Sequence, residues 1–198
     1  VWAGRFIPLK HPEYAVRLGA ALQKNGHAFR IHMLGGGEME AALKQEIRRE
    51  GLSESFVFYG YTGPEQVRDV MEKCHIHLFT SNHLEGWGAV VNEGMNSGCV
   101  EVVDARVGAA PFLIRHGENG LLYQSGSYDE MEALVFDLFE NWEARRAMGR
   151  AAYETIRDMW NAEHAAAALL QFSDRLRQGK IVPEKEGPLS PAPVIKPR

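Results

Sequence analysis

Short apolar runs bounded by glycine alternate with helical patterns along most of the chain, and that alternation restricts the fold more than any other feature. Residues 1–3, 29–34, 56–59, 76–80, 100–103 and 120–123 read as strands. Between them, 12–24, 38–50, 64–73 and 89–97 carry helical spacing; Tyr14, Leu18, Ala21 and Leu22 share one side of the first. Residues 128–142 and 143–177 are helical at the end, the latter in two pieces around Trp160. Strands separated by single helices pair in parallel through right-handed crossovers. The fold class expected is therefore α/β, a doubly wound Rossmann-like parallel sheet.

A chain of 198 residues suits one such domain with a tail. Residues 1–178 are expected to form the domain. The remainder, 179–198, holds Pro183, Pro188, Pro191, Pro193 and Pro197, five of the nine prolines, with few large apolar residues to offset ordering entropy. It reads as an extended or disordered tail. The opening, Val1-Trp2-Ala3-Gly4, is that of a strand entered midway, so the sequence reads as a fragment. A net charge of −4 argues against nucleic acid as a partner, since phosphate backbones select clustered Lys and Arg. No apolar run approaches the ~20 residues that cross a bilayer. Two cysteines, Cys74 and Cys99, form no CxxC pair and point to a reducing, cytoplasmic location.

Open α/β sheets bind ligands at the carboxyl ends of their strands. After the strand at 76–80 comes Glu85-Gly86-Trp87-Gly88-Ala89-Val90-Val91-Asn92-Glu93, in which two glycines lead directly into a helix. The glycines allow close backbone approach, and the free amides of Gly88, Ala89 and Val90 form an anion site. Glu85 and Glu93 can face one cleft, where a carboxylate accepts hydrogen bonds from sugar hydroxyls. The plainer alternative is a tight turn followed by a solvated glutamate. After the first strand, Gly4-Arg5-Phe6-Ile7-Pro8-Leu9-Lys10 offers two cations suited to a diphosphate, Arg5 by a bidentate fork and Lys10 as a point charge. Taken alone, they also suit two surface side chains.

The order of these segments resembles a known family. Gly4-Arg5-Phe6 with Lys10, then Met33-Leu34-Gly35-Gly36-Gly37, then Val57-Phe58-Tyr59-Gly60-Tyr61 is similar to the "group 1", or family 4, retaining glycosyltransferases in their C-terminal domain. The run from Ser81 to Gly98 carries two glutamates with seven residues between them, and Asn119-Gly120-Leu121-Leu122 matches a closing element. The likeness covers roughly residues 1 to 172 and implies the C-terminal half of a two-Rossmann (GT-B) architecture. It implies a donor-binding domain for a UDP-, GDP- or ADP-linked sugar, with no resident cofactor and no metal. The acceptor-binding N-terminal domain would be the missing partner, any peripheral membrane association would come through that half, and the fragment alone would be inactive.

On the resemblance, Arg5 and Lys10 hold the diphosphate and Glu85 contacts the transferred sugar. Gly86, Trp87, Gly88, Ala89 and Val90 surround sugar and phosphate, Glu93 binds the ribose hydroxyls, Tyr61-Thr62 borders the base, and Gly35 belongs to the glycine run beside them. The chain departs from the family at Thr80, where many members have Pro, at Cys99-Val100-Glu101, and at Phe112, where a polar or acidic residue is common.

Other signals are weaker. Gly35-Gly36-Gly37 lacks the third glycine of GxGxxG, which Glu40 replaces, and there is no P-loop. Cys74-His75-Ile76-His77 with His83 lacks a further ligand at fixed spacing for a metal. Phe136, Phe139 and Trp142 read as core, and His32 and His116 as structural or exposed. Alternatives to transfer are the half of a nucleotide-sugar epimerase and a non-catalytic nucleotide-binding or interaction module; a phosphoacceptor or flavin-binding doubly wound domain would need an acidic cluster after the first strand, which this chain lacks.

Overall fold

The computed structural model describes residues 1–192. Six strands, β1 (Trp2–Ala3), β2 (Ile31–Leu34), β3 (Phe56–Gly60), β4 (Ile76–Phe79), β5 (Val100–Asp104) and β6 (Leu121–Tyr123), pair in parallel as two triplets, β1-β2-β3 and β4-β5-β6. The triplets meet where β1 lies beside β4, with Leu78 N–H donating to the Val1 carbonyl at 2.9 Å. The strand order is thus 3-2-1-4-5-6, that of a Rossmann-like sheet, and it reverses direction between β1 and β4.

Helices cover both faces: α1 (Glu13–Lys24), α2 (Glu40–Arg49), α3 (Pro64–Met71), α4 (Ala89–Asn96), α5 (Ala110–Leu113), α6 (Tyr128–Glu140), α7 (Trp142–Asp158) and α8 (Ala162–Arg177). The strands alternate with period two. Trp2, Met33, Val100 and Val102 face a core closed by α1, α2 and α6 through Leu18, Leu22, Leu43, Ile47, Met131 and Val135. Phe79 and Val103 face the other side, packed on Val91 and Met95 of α4 and Ala152 and Ile156 of α7. Each large side chain withdrawn from water contributes roughly 1.5–3 kcal/mol. Asn141 and Asn161 start α7 and α8 by accepting from the amides of Ala144 and His164, which is why the last helical stretch breaks at Trp160.

Several expectations change in detail. The short α5 and the 3-10 turns Pro8–Lys10 and Ser53–Ser55 carry too few residues to show periodicity. Trp142 is not core: it opens α7 and is 57% exposed, whereas Phe136 and Phe139 pack against the main cluster beside His27. His32 bonds Tyr59 through Nδ1, and His116 Nδ1 accepts from Leu122 N–H. Residues 180–192 hold no helix or strand, yet Gly187 is buried against Met159 and Arg175 pairs with Glu184. Pro193 and Pro197 of the expected tail lie outside the described residues.

The interior of the β4–β5 pair carries a polar pair. His77 and Glu101, register partners on adjacent strands and fully buried, bond through His77 Nδ1 and both carboxyl oxygens at 2.8 and 2.9 Å. Burial pushes the Glu101 carboxyl above the usual range, with His77 opposing the shift. Gly94 of α4 makes room for the pair, since a Cβ there would come within 1.9 Å of Glu101 Oε1. The Glu101 carboxyl thus engages His77 Nδ1, while His77 Nε2 is buried without a hydrogen-bond partner. Among the described residues no group of three or more His, Cys, Asp or Glu is placed to hold a metal ion.

Candidate functional site

The loops after β1, β2 and β3 are laced into one floor. Gly4 N–H donates to the Leu34 carbonyl, Phe6 N–H to that of Gly36, and Gly35 N–H to that of Gly60, at 2.8–2.9 Å. Gly35 has φ 114°, and a Cβ on it would fall 2.0 Å from the Gly4 carbonyl oxygen, so only glycine permits this approach. Phe6 is fully buried between the Trp2 and Phe58 rings, and this anchor leaves its neighbour Arg5 exposed at the rim.

Lys10 ends the 3-10 turn that Pro8 begins, and His11 follows in the left-handed region at φ 45°, an uncommon conformation for a non-glycine residue. Thr80 holds this turn in place. Its hydroxyl donates to the Lys10 carbonyl at 2.6 Å, with the His11 carbonyl at 3.0 Å, and accepts from Trp2 Nε1 at 2.8 Å. Asn82 continues the tie: its N–H donates to the Leu9 carbonyl, and its side chain and carbonyl accept from Leu84 and Glu85 amides. The loop bearing Glu85 is thereby fastened to the loop bearing Lys10.

Gly88 enters α4 at φ 85°, and a Cβ there would meet the Phe79 ring at 2.8 Å. No side chain caps the helix, so the first-turn amides of Ala89 and Val90 stay available to an anion. Glu93 lies on the second turn, exposed.

These pieces converge on an open cleft of about 350 Å³ at the carboxyl ends of β1 to β4, where the strand order reverses. Of the residues singled out from the sequence, Arg5, Lys10, Gly35, Tyr61, Thr62, Glu85, Gly88, Ala89, Val90 and Glu93 line it. Gly86 and Trp87 do not. A Cβ on Gly86 would meet open space, and Trp87 turns to Phe112 and Trp160, its indole donating to Asn92 Oδ1. Ala3, Gly4, Leu34, Val67 and Phe79 complete the walls. In the sequence Thr80 is visible only as a departure from the family pattern, and Phe79 as one more strand residue.

Within the cleft Lys10 Nζ and Glu85 Oε2 are 2.6 Å apart, with the ammonium 5.5 Å from the Phe79 ring centroid. Among the described residues Arg5 and Glu93 have no side-chain hydrogen bond or ion pair, so a guanidinium and a carboxylate face the opening uncommitted. The Tyr61 hydroxyl donates to the Gly36 carbonyl, and the neighbouring Thr62 hydroxyl is buried without a hydrogen-bond partner. The cleft lining combines two cations and helix amides, a free carboxylate on α4, and the Tyr61 ring beside Thr62. A ligand that carries both an anionic group and hydroxyls fits that lining. A cavity of similar size, about 380 Å³, lies among the amino ends of β2 and β4, lined by Phe29, His32, His75 and Arg145 among others, away from the reversal point.

Comparisons with known proteins agree with this fold. The chain is 26% identical over 187 residues to D-inositol 3-phosphate glycosyltransferase of Segniliparus rotundus, covering 92% of this chain and 41% of that protein. It is 27% identical to 2-deoxystreptamine glucosyltransferase of Streptomyces kanamyceticus, covering 88% of this chain and 45% of that one. It thus spans less than half the length of these relatives. Among solved structures, the C-terminal domain of the group 1 glycosyl transferase LpcC from Francisella tularensis superposes with a TM-score of 0.74 at 19% identity, covering 81% of this chain and 85% of that one. HepE of Anabaena, solved in complex with UDP, gives a TM-score of 0.72 at 21% identity, covering 89% of this chain and 48% of that one. The profile of the family described as glycosyl transferases group 1 matches residues 1–155. The chain belongs to the group 1 glycosyltransferases.

Proposed function

We propose that this chain is the nucleotide-sugar-binding half of a retaining glycosyltransferase, holding the donor while a second domain holds the acceptor. The observation that carries the proposal is the meeting of Arg5, Lys10, Glu85 and Glu93 in one cleft at the reversal point of the sheet, from segments up to 88 positions apart in sequence. Arg5, Lys10 and the first-turn amides of α4 take the diphosphate, and Glu93 takes the ribose hydroxyls. Tyr61 and Thr62 border the base, and Glu85 reaches the transferred sugar. That HepE was solved with UDP and with UDP-glucose supports a nucleoside diphosphate as the common part of the ligand.

During transfer, negative charge gathers on the departing diphosphate. Preorganised positive groups aimed at that position stabilise it, and the two cations with the helix amides supply them without a protein-bound metal. A cytoplasmic setting belongs to the same proposal, supported by the sequence holding only two cysteines, Cys74 and Cys99, with no CxxC pair. Among the described residues no helix is long and apolar enough to cross a membrane.

Calorimetric titration with UDP, GDP and ADP tests the proposal. Saturable heat with at least one, abolished by Arg5→Ala, is the expected result, with weak affinity because one wall of the full cleft belongs to the other domain. No heat with any of the three would count against it. Transfer by this chain alone is not expected.

A further inference from the structure

Within the cleft Lys10 and Glu85 are joined in an ion pair. The two side chains are 15% and 18% exposed, so water screens the 2.6 Å contact only in part. Neither partner is loose. The Lys10 stem passes over Gly4, where a Cβ would meet its Cδ at 3.0 Å, and its ammonium lies over Phe79. Its carbonyl is held by Thr80, and the Glu85 backbone is held by Asn82. Arg5 and Glu93, by contrast, face the same cleft without partners among the described residues.

An entering diphosphate draws the Lys10 charge toward itself and leaves the Glu85 carboxylate beside new negative charge with its counter-ion shared. A bare nucleoside diphosphate brings only acceptor oxygens to that end of the cleft and offers the carboxylate nothing in return. A nucleotide sugar brings hydroxyl donors, which replace the ammonium as partners of Glu85. We infer that Glu85 is a specificity-determining residue that acts through Lys10. Its carboxylate competes with phosphate for the ammonium, and it yields when a sugar is attached. The cleft therefore prefers a nucleotide sugar to the corresponding nucleoside diphosphate. Once the sugar has been transferred, Glu85 recovers Lys10 and the nucleoside diphosphate is weakened for release. The inference rests on the donor assignment above and adds to it a direction of preference.

The test is the affinity of the wild-type chain, Glu85→Gln, Glu85→Ala and Lys10→Met for UDP, GDP and ADP and for their glucose conjugates, with melting curves alongside. Removing the competing charge in Glu85→Gln is expected to tighten the bare nucleoside diphosphate about three- to tenfold, as for a partly screened ion pair. The glucose conjugate should be weakened or unchanged, so that the preference for it shrinks, and Glu85→Ala should move the same way. If Glu85→Gln weakens both ligands alike, Glu85 serves to hold Lys10 ready for phosphate, and the inference is overturned. Unchanged affinity for the bare nucleoside diphosphate also overturns it. In either case, weaker binding by Lys10→Met leaves the donor assignment standing. Wild-type chain that binds no nucleotide at all overturns both.

Discussion

The Thr80 hydroxyl lies 2.6 Å from the Lys10 carbonyl oxygen, and with it the end of β4 grips the turn that follows β1. The same hydroxyl oxygen accepts from the Trp2 indole, so one buried group links the central strands to a cation of the cleft. Thr80→Val keeps the shape and removes the hydroxyl, stranding the buried indole N–H and freeing the Lys10 carbonyl. Stability is expected to fall by about 1–3 kcal/mol in urea unfolding, and nucleotide affinity to fall with it. Thr80→Ser should retain most of both.

Gly88 and Gly86 flank Trp87 and should respond oppositely to alanine. At Gly88 the left-handed φ of 85° and a contact of 2.8 Å with the Phe79 ring both resist a Cβ. Gly88→Ala is expected to lower the melting temperature by several degrees, on the order of 1–3 kcal/mol, and to displace the first turn of α4. A Cβ added at Gly86 would meet no atom within 4 Å, so Gly86→Ala should melt within about 0.5 kcal/mol of wild type. Thermal unfolding of the two variants side by side checks the contrast.

Cys99 is fully buried, and burial pushes its thiol up to about 12, from an ordinary 9.0. The folded state therefore favours the protonated thiol. Its contribution is complete below pH 9 and is lost as pH rises toward about 12, where both states ionise. Cys99→Ala should flatten the decline of stability across that interval. With iodoacetamide at pH 8, native protein should label at half-exposed Cys74, and Cys99 should label only after unfolding.

Nucleotide binding should persist in EDTA, because Arg5, Lys10 and the α4 amides supply the positive potential. Affinities measured with and without the chelator should agree within about threefold, a shift of roughly 0.7 kcal/mol. A loss above about tenfold, or ~1.4 kcal/mol, would show that a divalent cation carries part of the diphosphate contact.

The strands and most of the cleft are legible in the chain for one physical reason: both are local. Apolar runs ending on glycine mark strand ends, and in a doubly wound sheet a strand end is where Arg5, Lys10 and Gly35 must lie. What the residues do not reveal is pairing between distant segments. Nothing local in Glu85 indicates that it meets Lys10, 75 positions earlier. Glu101 stands out as a departure and His77 as a possible ligand, yet only strand register places them together across 24 positions. Trp87 reads with the glycines on either side of it, but its ring turns toward Phe112 and Trp160 rather than the cleft. Trp142 reads as core from its spacing after Phe136 and Phe139, but the helix stops at Glu140 and Trp142 starts the next one, so the periodicity does not extend to it.

The donor cleft is tested most directly at Glu93, by titrating wild type and Glu93→Gln with a nucleoside diphosphate and its 2′,3′-dideoxy analogue. Glu93 is exposed and has no side-chain partner among the described residues, so the substitution should leave the melting temperature almost unchanged. Two charge-assisted bonds to ribose make the expected loss about one to two decades of affinity, at ~1.4 kcal/mol per decade. The dideoxy analogue should lose a similar amount against wild type and little more against the variant, since both changes remove the same contact. A variant that melts several degrees lower and binds the nucleotide as tightly as wild type would contradict the assignment of Glu93 to the ribose, and with it the placement of the donor in this cleft.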